Sequence, residues 1–210
     1  MTQAVKISVI IPLVFAVFLW RNHNPNETVK SIIERRSVRK YKPQQITEQE
    51  LECILNCGLY APSARNTQNW HFTVIQNAEL ISWMNDKIKE NIPSEAAAFY
   101  KERQGGREDY SIFYDAPTLV LVSGEAGDTY TDSNCGYATQ NMCLAAQSLG
   151  VASIVIGLAR FLFSTPEADK YAKELGVPDG YSPLYVVCFG YADMLPDTPE
   201  RLKGKVNYIR

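Results

Sequence analysis

Residues 61–71 read APSARNTQNWH, a proline, small residues, three side-chain amides and an arginine set ahead of an aromatic pair. A helical pattern precedes this stretch and a strand pattern follows it, so by position it is a connector. Its composition offers donors and acceptors at nearly every step, enough to hold a flat, polar group. Taken alone it also fits an ordinary helix-to-strand turn, because Pro, Ser and Asn are favoured in turns for purely local reasons.

A second stretch shifts the balance. Residues 34–42, ERRSVRKYK, crowd Arg35, Arg36, Arg39, Lys40 and Lys42 around Ser37. Cations at a helix C-terminus offset the negative end of its dipole by about 0.3–1 kcal/mol each. That accounts for two of the five; the remaining guanidinium groups and the hydroxyl match the oxygens of a phosphate monoester.

RRSVRKY (35–41), PSARNTQNW (62–70) with HFTVIQ behind it, and YATQNMCLAAQSLGVASIVIG (137–157) occur in that order. Together they resemble the nitroreductase family of FMN-dependent oxidoreductases, and the resemblance runs from about Asn26 to the C-terminus. It implies an α+β fold, with a central, mostly antiparallel or mixed β-sheet flanked by helices, and a homodimer with FMN at the subunit interface. NADH or NADPH would be the reductant and a nitroaromatic, quinone or similar oxidised small molecule the acceptor. By the same resemblance Arg35 and Ser37 meet the flavin phosphate, Arg36 the phosphate or ribityl chain, and Arg39 the N1 and O2 side of the ring. Pro62, Ser63 and Ala64 resemble the segment that meets the partner subunit's flavin, with Asn66 and Gln68 as further polar contacts. Ile156 and Gly157 would bring backbone groups to the ring, and one or more of Arg201, Lys203 and Lys205 would complete the phosphate site.

Two departures stand out. Asn69 occupies a place where the family commonly has Pro, and Ile156 one where some members carry Glu. The second weakens any substrate borrowed from those members, but not FMN binding. Two alternatives stay open: a reductive dehalogenase or flavin-modifying enzyme on the same fold, and a membrane-tethered FMN-binding electron-transfer protein. Fold alone does not decide between chemistries.

Composition bounds the rest. The 210 residues carry a net charge of −2, which argues against broad nucleic-acid binding. There is no GxGxxG or P-loop pattern, so a Rossmann or Walker-type nucleotide site is not supported. Five cysteines, Cys53, Cys57, Cys135, Cys143 and Cys188, lie mostly in apolar periodic segments and read as buried reduced thiols. With two histidines, neither at ligand spacing to them, no metal site is expected. No protein acid, base or nucleophile is assigned as catalytic, since a flavin carries such chemistry itself; His71, alone at a strand start, reads as structural.

Residues 7–20, ISVIIPLVFAVFLW, form an uncharged run interrupted by Pro12. The run is short for a membrane span and lacks the cleavage site of a signal peptide. Residues 1–23 are therefore set apart as an extension, signal- or anchor-like or a packed segment, from a domain over 24–210. A cytoplasmic location is expected, with membrane contact through 7–20 as the alternative.

Local signals then lay out the domain. NPNE (24–27) starts a helix that should turn Val29, Ile32 and Ile33 inward, and TEQE (47–50) starts a second carrying Leu51, Ile54, Leu55 and Gly58. Strands are expected over 72–76, 118–123, 151–157 and 184–190. Helices are expected after Asn77, over 94–104, over about 131–149, and after a cap at Ser164. Ala138, Met142, Ala145, Ala146 and Leu149 give the long helix a small face suited to another helix, including one across a two-fold axis. Phe99, Tyr100, Tyr110, Phe113 and Tyr114 gather around Gly105 and Gly106 as either a satellite core or a lid.

Overall fold

The structure is a computed structural model and describes residues 26–210; the apolar run at 7–20 lies outside the described residues. The chain divides after Glu34 into two compact units.

Before the division lies helix α1, Glu27–Glu34. Asn26 caps it, its Oδ1 accepting from the Val29 N–H at 3.0 Å. The expected inward face is not buried: Val29 and Ile32 are exposed. Apolar spacing marks a stripe but does not supply the surface that covers it.

The second unit, Arg35–Arg210, is built on four strands: β1 (Trp70–Ile75), β2 (Thr118–Glu125), β3 (Ala152–Ile156) and β4 (Tyr181–Gly190). Their order is β1-β2-β4-β3, and each neighbouring pair is antiparallel. β2 is central, as its unbroken TLVLV predicts. Side chains alternate across a strand, so Leu119 and Leu121 enter one core layer and Val120 and Val122 the other. Pro183 cannot donate to a ladder, and the β2–β4 register shifts between Val122 and Ser123, opposite Tyr185 and Pro183.

One layer holds α2 (Glu48–Leu59) and α5 (Thr131–Ser148). α2 opens with a capping box: Thr47 Oγ1 accepts from the Glu50 N–H at 3.2 Å, and Glu50 Oε2 accepts from the Thr47 N–H at 2.8 Å. The small face of α5 meets this helix of the same chain: a Cβ added at Gly58 would stand 2.7 Å from Met142 Cγ. Ala138, Met142 and Ala146 are thus spent within the fold, and the two-fold contact suggested for that face would need another one.

The opposite layer holds α3 (Ala78–Asn91) and a 3-10 stretch over Gly157–Phe163, with α4 (Ser94–Arg103) following α3. Tyr110, Phe113 and Tyr114 are buried in this main layer rather than in a satellite core, whereas Phe99 is half exposed. Ser164 does not cap a helix as expected. Its hydroxyl donates to the Arg160 carbonyl at 3.0 Å, ending the 3-10 stretch, and α6 begins later, over Ala168–Glu174. All five cysteines are free, but only Cys135, Cys143 and Cys188 are buried; Cys53 is exposed and Cys57 intermediate. The helical repeat turns Cys53 away from the packed face of α2. Among the described residues no helix is long and apolar enough to cross a membrane, and no group of three or more His, Cys, Asp or Glu could hold a metal.

Candidate functional site

The basic segment lies along a sheet edge. Ser37 forms a parallel bridge with Ser153, and the Val38 N–H donates to the Ser153 carbonyl at 3.1 Å. A parallel register advances both chains the same way, so Arg39 is carried toward the Ile156–Gly157 end of β3. Two motifs more than a hundred residues apart thereby become neighbours. Tyr41 continues the edge by bridging to Ala192, and Lys40 pairs with Asp193 at 2.6 Å.

Arg35, Arg36, Ser37 and Arg39 are all of intermediate burial. Arg36 reaches the Arg35 carbonyl at 2.8 Å and Thr198 Oγ1 at 3.0 Å, which brings the start of the C-terminal tail beside the basic segment. Arg39 donates to the Ser37 carbonyl at 3.2 Å. Neither Arg35 nor Arg39 makes an ion pair among the described residues. A half-buried guanidinium without a counter-charge has lost solvation that an anionic ligand restores. Their fields reach neighbouring groups. Burial pushes the Cys143 thiol up, while Ser153 and then Arg35 pull it down. Burial likewise pushes the Tyr114 phenol up, and Arg39 and Arg103 oppose it.

Ile156 is buried at the end of β3, and a Cβ added at Gly157 would stand in open space. The backbone there is open to a flat group, as a flavin edge requires, and the unpaired guanidinium groups suit its phosphate and pyrimidine oxygens. The tail residues Arg201, Lys203 and Lys205 are exposed.

The amide-rich loop belongs to another corner. Arg65, Asn66 and Gln68 take left-handed φ values of 57°, 56° and 48°, a conformation costing about 1 kcal/mol or more for a non-glycine residue. Hydrogen bonds hold them there. The Asn66 N–H donates to the Ser63 carbonyl at 3.0 Å, the Gln68 N–H to Ser63 Oγ at 3.0 Å, and Gln68 Nε2 to Asn66 Oδ1 at 3.1 Å. Arg65 is taken up by Asp128 at 3.1 Å.

Beneath the loop lies a buried network that the sequence reading did not pick out. Asn134 Oδ1 accepts from the Ala64 N–H at 3.1 Å, and its Nδ2 donates to Asn69 Oδ1 at 2.9 Å. Asn69 Nδ2 donates to Thr131 Oγ1 at 3.0 Å, whose hydroxyl donates to the Glu125 carbonyl at 2.7 Å. Asn69, which stands where Pro is common, is therefore the hub joining the loop to β2 and α5. The one visible signal was an extra amide with no evident turn to make.

The loop and the basic segment lie at opposite edges of the sheet: the loop runs into β1 and the segment bridges to β3, the two outer strands. The His71 and Tyr181 rings meet edge to face, 6.4 Å between centroids.

The sequence model of the Nitroreductase family matches residues 32–191. A protein of Archaeoglobus fulgidus with the provisional name NADH dehydrogenase/NAD(P)H nitroreductase is 32% identical over 168 residues, 79% of this chain and 85% of its own. The NADPH-flavin oxidoreductase of Vibrio harveyi is 25% identical over 187 residues, 86% and 72% of the two chains. The crystal structure of a nitroreductase with bound FMN from Bacteroides fragilis shares 34% identity at a TM-score of 0.78, covering 89% of this chain and all of that one.

Proposed function

Since the chain belongs to the nitroreductase family, we propose that it is an FMN-dependent oxidoreductase passing hydride from NADH or NADPH to a nitroaromatic, quinone or similar oxidised acceptor. FMN held in this site would supply hydride transfer through its N5, so no protein nucleophile is needed.

The chain's own residues bind and polarise. Arg35 and Ser37 hold the phosphate, and Arg36 the phosphate or ribityl chain. Arg201, Lys203 or Lys205 closes over the phosphate, since Arg36 already holds Thr198 at the root of the tail. Arg39 places positive charge beside the pyrimidine edge, where reduction deposits negative charge. Gly157 presents open backbone to the ring, and the buried Ile156 before it anchors that backbone to β4. The observation that carries this reading is the parallel bridge of Ser37 to Ser153, which joins the basic segment to the β3 end.

Pro62, Ser63, Ala64, Asn66 and Gln68 serve the cofactor of a second copy, so the working unit is a homodimer. Two features support this: the placement of loop and basic segment at opposite edges of the sheet, and the outer face of α5. Gly136 and Tyr137 are exposed there, and a Cβ at Gly136 would meet nothing. A glycine inside a helix costs about 0.5–1 kcal/mol relative to alanine, a sacrifice suited to close approach by another backbone. We place the flavoprotein domain at 24–210, with 1–23 as an extension, in the cytoplasm, where reduced nicotinamide is supplied.

The test is the visible spectrum of purified wild type and of Arg35→Ala with Arg39→Ala. A flavin band near ~450 nm that NAD(P)H bleaches, and that the double variant lacks, is the expected result. A wild type that stays colourless after FMN is added would overturn the reading.

A further inference from the structure

A cavity of about 740 Å³ opens beside Arg39, and its lining is more basic than the chain as a whole. Four cations, Arg39, Lys40, Arg103 and Arg107, face two carboxylates, Asp115 and Asp197, in a protein of net charge −2. Two of these cations are already satisfied. Lys40 pairs with Asp193 at 2.6 Å, and Arg107 with Asp109 at 3.0 Å and Asp115 at 2.9 Å.

Arg103 is different. Its guanidinium lies 4.5 Å from the centre of the Phe99 ring, and it has no carboxylate partner among the described residues. Arg39 is the other unpaired cation of the lining, and both act on the buried Tyr114 phenol. Tyr114 lines the same cavity as both, at a left-handed φ of 56° and with its ring stacked on Tyr100 at 5.5 Å. Two guanidinium groups without a carboxylate partner among the described residues thus line one cavity with the Tyr114 ring, and of the two only Arg39 is assigned to the flavin.

We propose that this cavity seats the anionic group of the acceptor, and that Arg103 is the specificity-determining residue selecting aromatic acceptors with a carboxylate or sulfonate over neutral ones. The assignment rests on the reading that Arg39 borders the flavin. Phe99 supports the guanidinium from one side and leaves its donor edge for a carboxylate, the geometry in which arginine is not replaceable by a point charge. The nicotinamide reductant also carries anionic groups, so both substrates must be varied.

The experiment uses holoenzyme and two acceptors matched in ring and nitro group, 4-nitrobenzoate and 4-nitrobenzyl alcohol, with NADH and NADPH varied separately. Wild type is expected to favour the anion in kcat/KM by about tenfold, more at low salt. Arg103→Gln is expected to remove that preference through KM, leaving turnover of the alcohol, flavin content and the reductant KM unchanged. Lys89→Gln, which removes a cation outside the cavity lining, should keep the preference. A second readout needs no turnover: calorimetry of benzoate binding to the oxidised holoprotein should weaken about tenfold in Arg103→Gln. An equal acceptor ratio in wild type and variant, a change confined to the reductant KM, or loss of flavin from the variant would each overturn the assignment. If flavin-loaded wild type reduces neither acceptor yet binds benzoate through Arg103, the oxidoreductase reading fails and the anion seat stands.

Discussion

Asn134 shows how much one side chain can organise. It is buried, accepts from the backbone of the cradle loop, and donates to both Asn69 at 2.9 Å and Thr67 at 3.3 Å. Replacing it with leucine leaves the half-buried Ala64 N–H without this acceptor and the buried Asn69 Oδ1 without this donor. Asn134→Leu is therefore expected to cost about 2–4 kcal/mol in denaturant unfolding; a loss under about 0.5 kcal/mol would mean that the loop holds its left-handed residues without this tie. Gly124 guards the same network. A Cβ there would stand 2.2 Å from Thr131 Cγ2 and 3.0 Å from Cys135 Sγ, inside contact distance of the hydroxyl-bearing residue that Asn69 needs. The Asn and Gln of the loop were legible as ligand-grade polarity; that one of them is a buried strut was not, because burial is decided by what packs above.

Among the elements, α2 carries the clearest local signal, and it gives a pH dependence of known sign. Glu50 accepts from the Thr47 N–H and, at 2.7 Å, from the Tyr191 hydroxyl. First the Thr47 backbone bond and then the Tyr191 hydroxyl hold its carboxyl below its ordinary 4.5. A folded-state pKa below the unfolded one means that unfolding takes up protons in acid. The stabilisation is fully present above pH 4.5 and is lost as pH falls through the lower folded value. Thermal unfolding should fall off less steeply below pH 4.5 in Glu50→Gln than in wild type; equal slopes would assign the acid sensitivity elsewhere. Capping boxes and the TLVLV strand are readable because each rests on residues close in sequence. Ser164 departs from its STPE pattern because its hydroxyl has two local uses, and the 3-10 stretch before it takes the bond to the Arg160 carbonyl.

At the scale of the molecule, the proposed dimer is the element that completes the site. The tail exposes Leu202, Val206, Tyr208 and Ile209, apolar side chains available for a second copy to cover. Analytical ultracentrifugation of wild type should give a dimer. Gly136→Arg, a bulky cation set on the outer face of α5, should shift it toward monomer with parallel loss of flavin; a flavin-loaded monomer would overturn the shared-site arrangement.

By itself the sequence determined the α+β class, the central buried strand and the capping box of α2, because strand and helix periodicity and capping act within a few residues. Only the tertiary structure decided that the basic segment lies along β3, that the small face of α5 is filled by α2, that Asn69 is a buried hub and that Arg103, Arg39 and Tyr114 line one cavity. Each of those depends on register, or on which surface covers which side chain. Both are set by the packing of segments far apart in the chain, and local pattern carries no record of them.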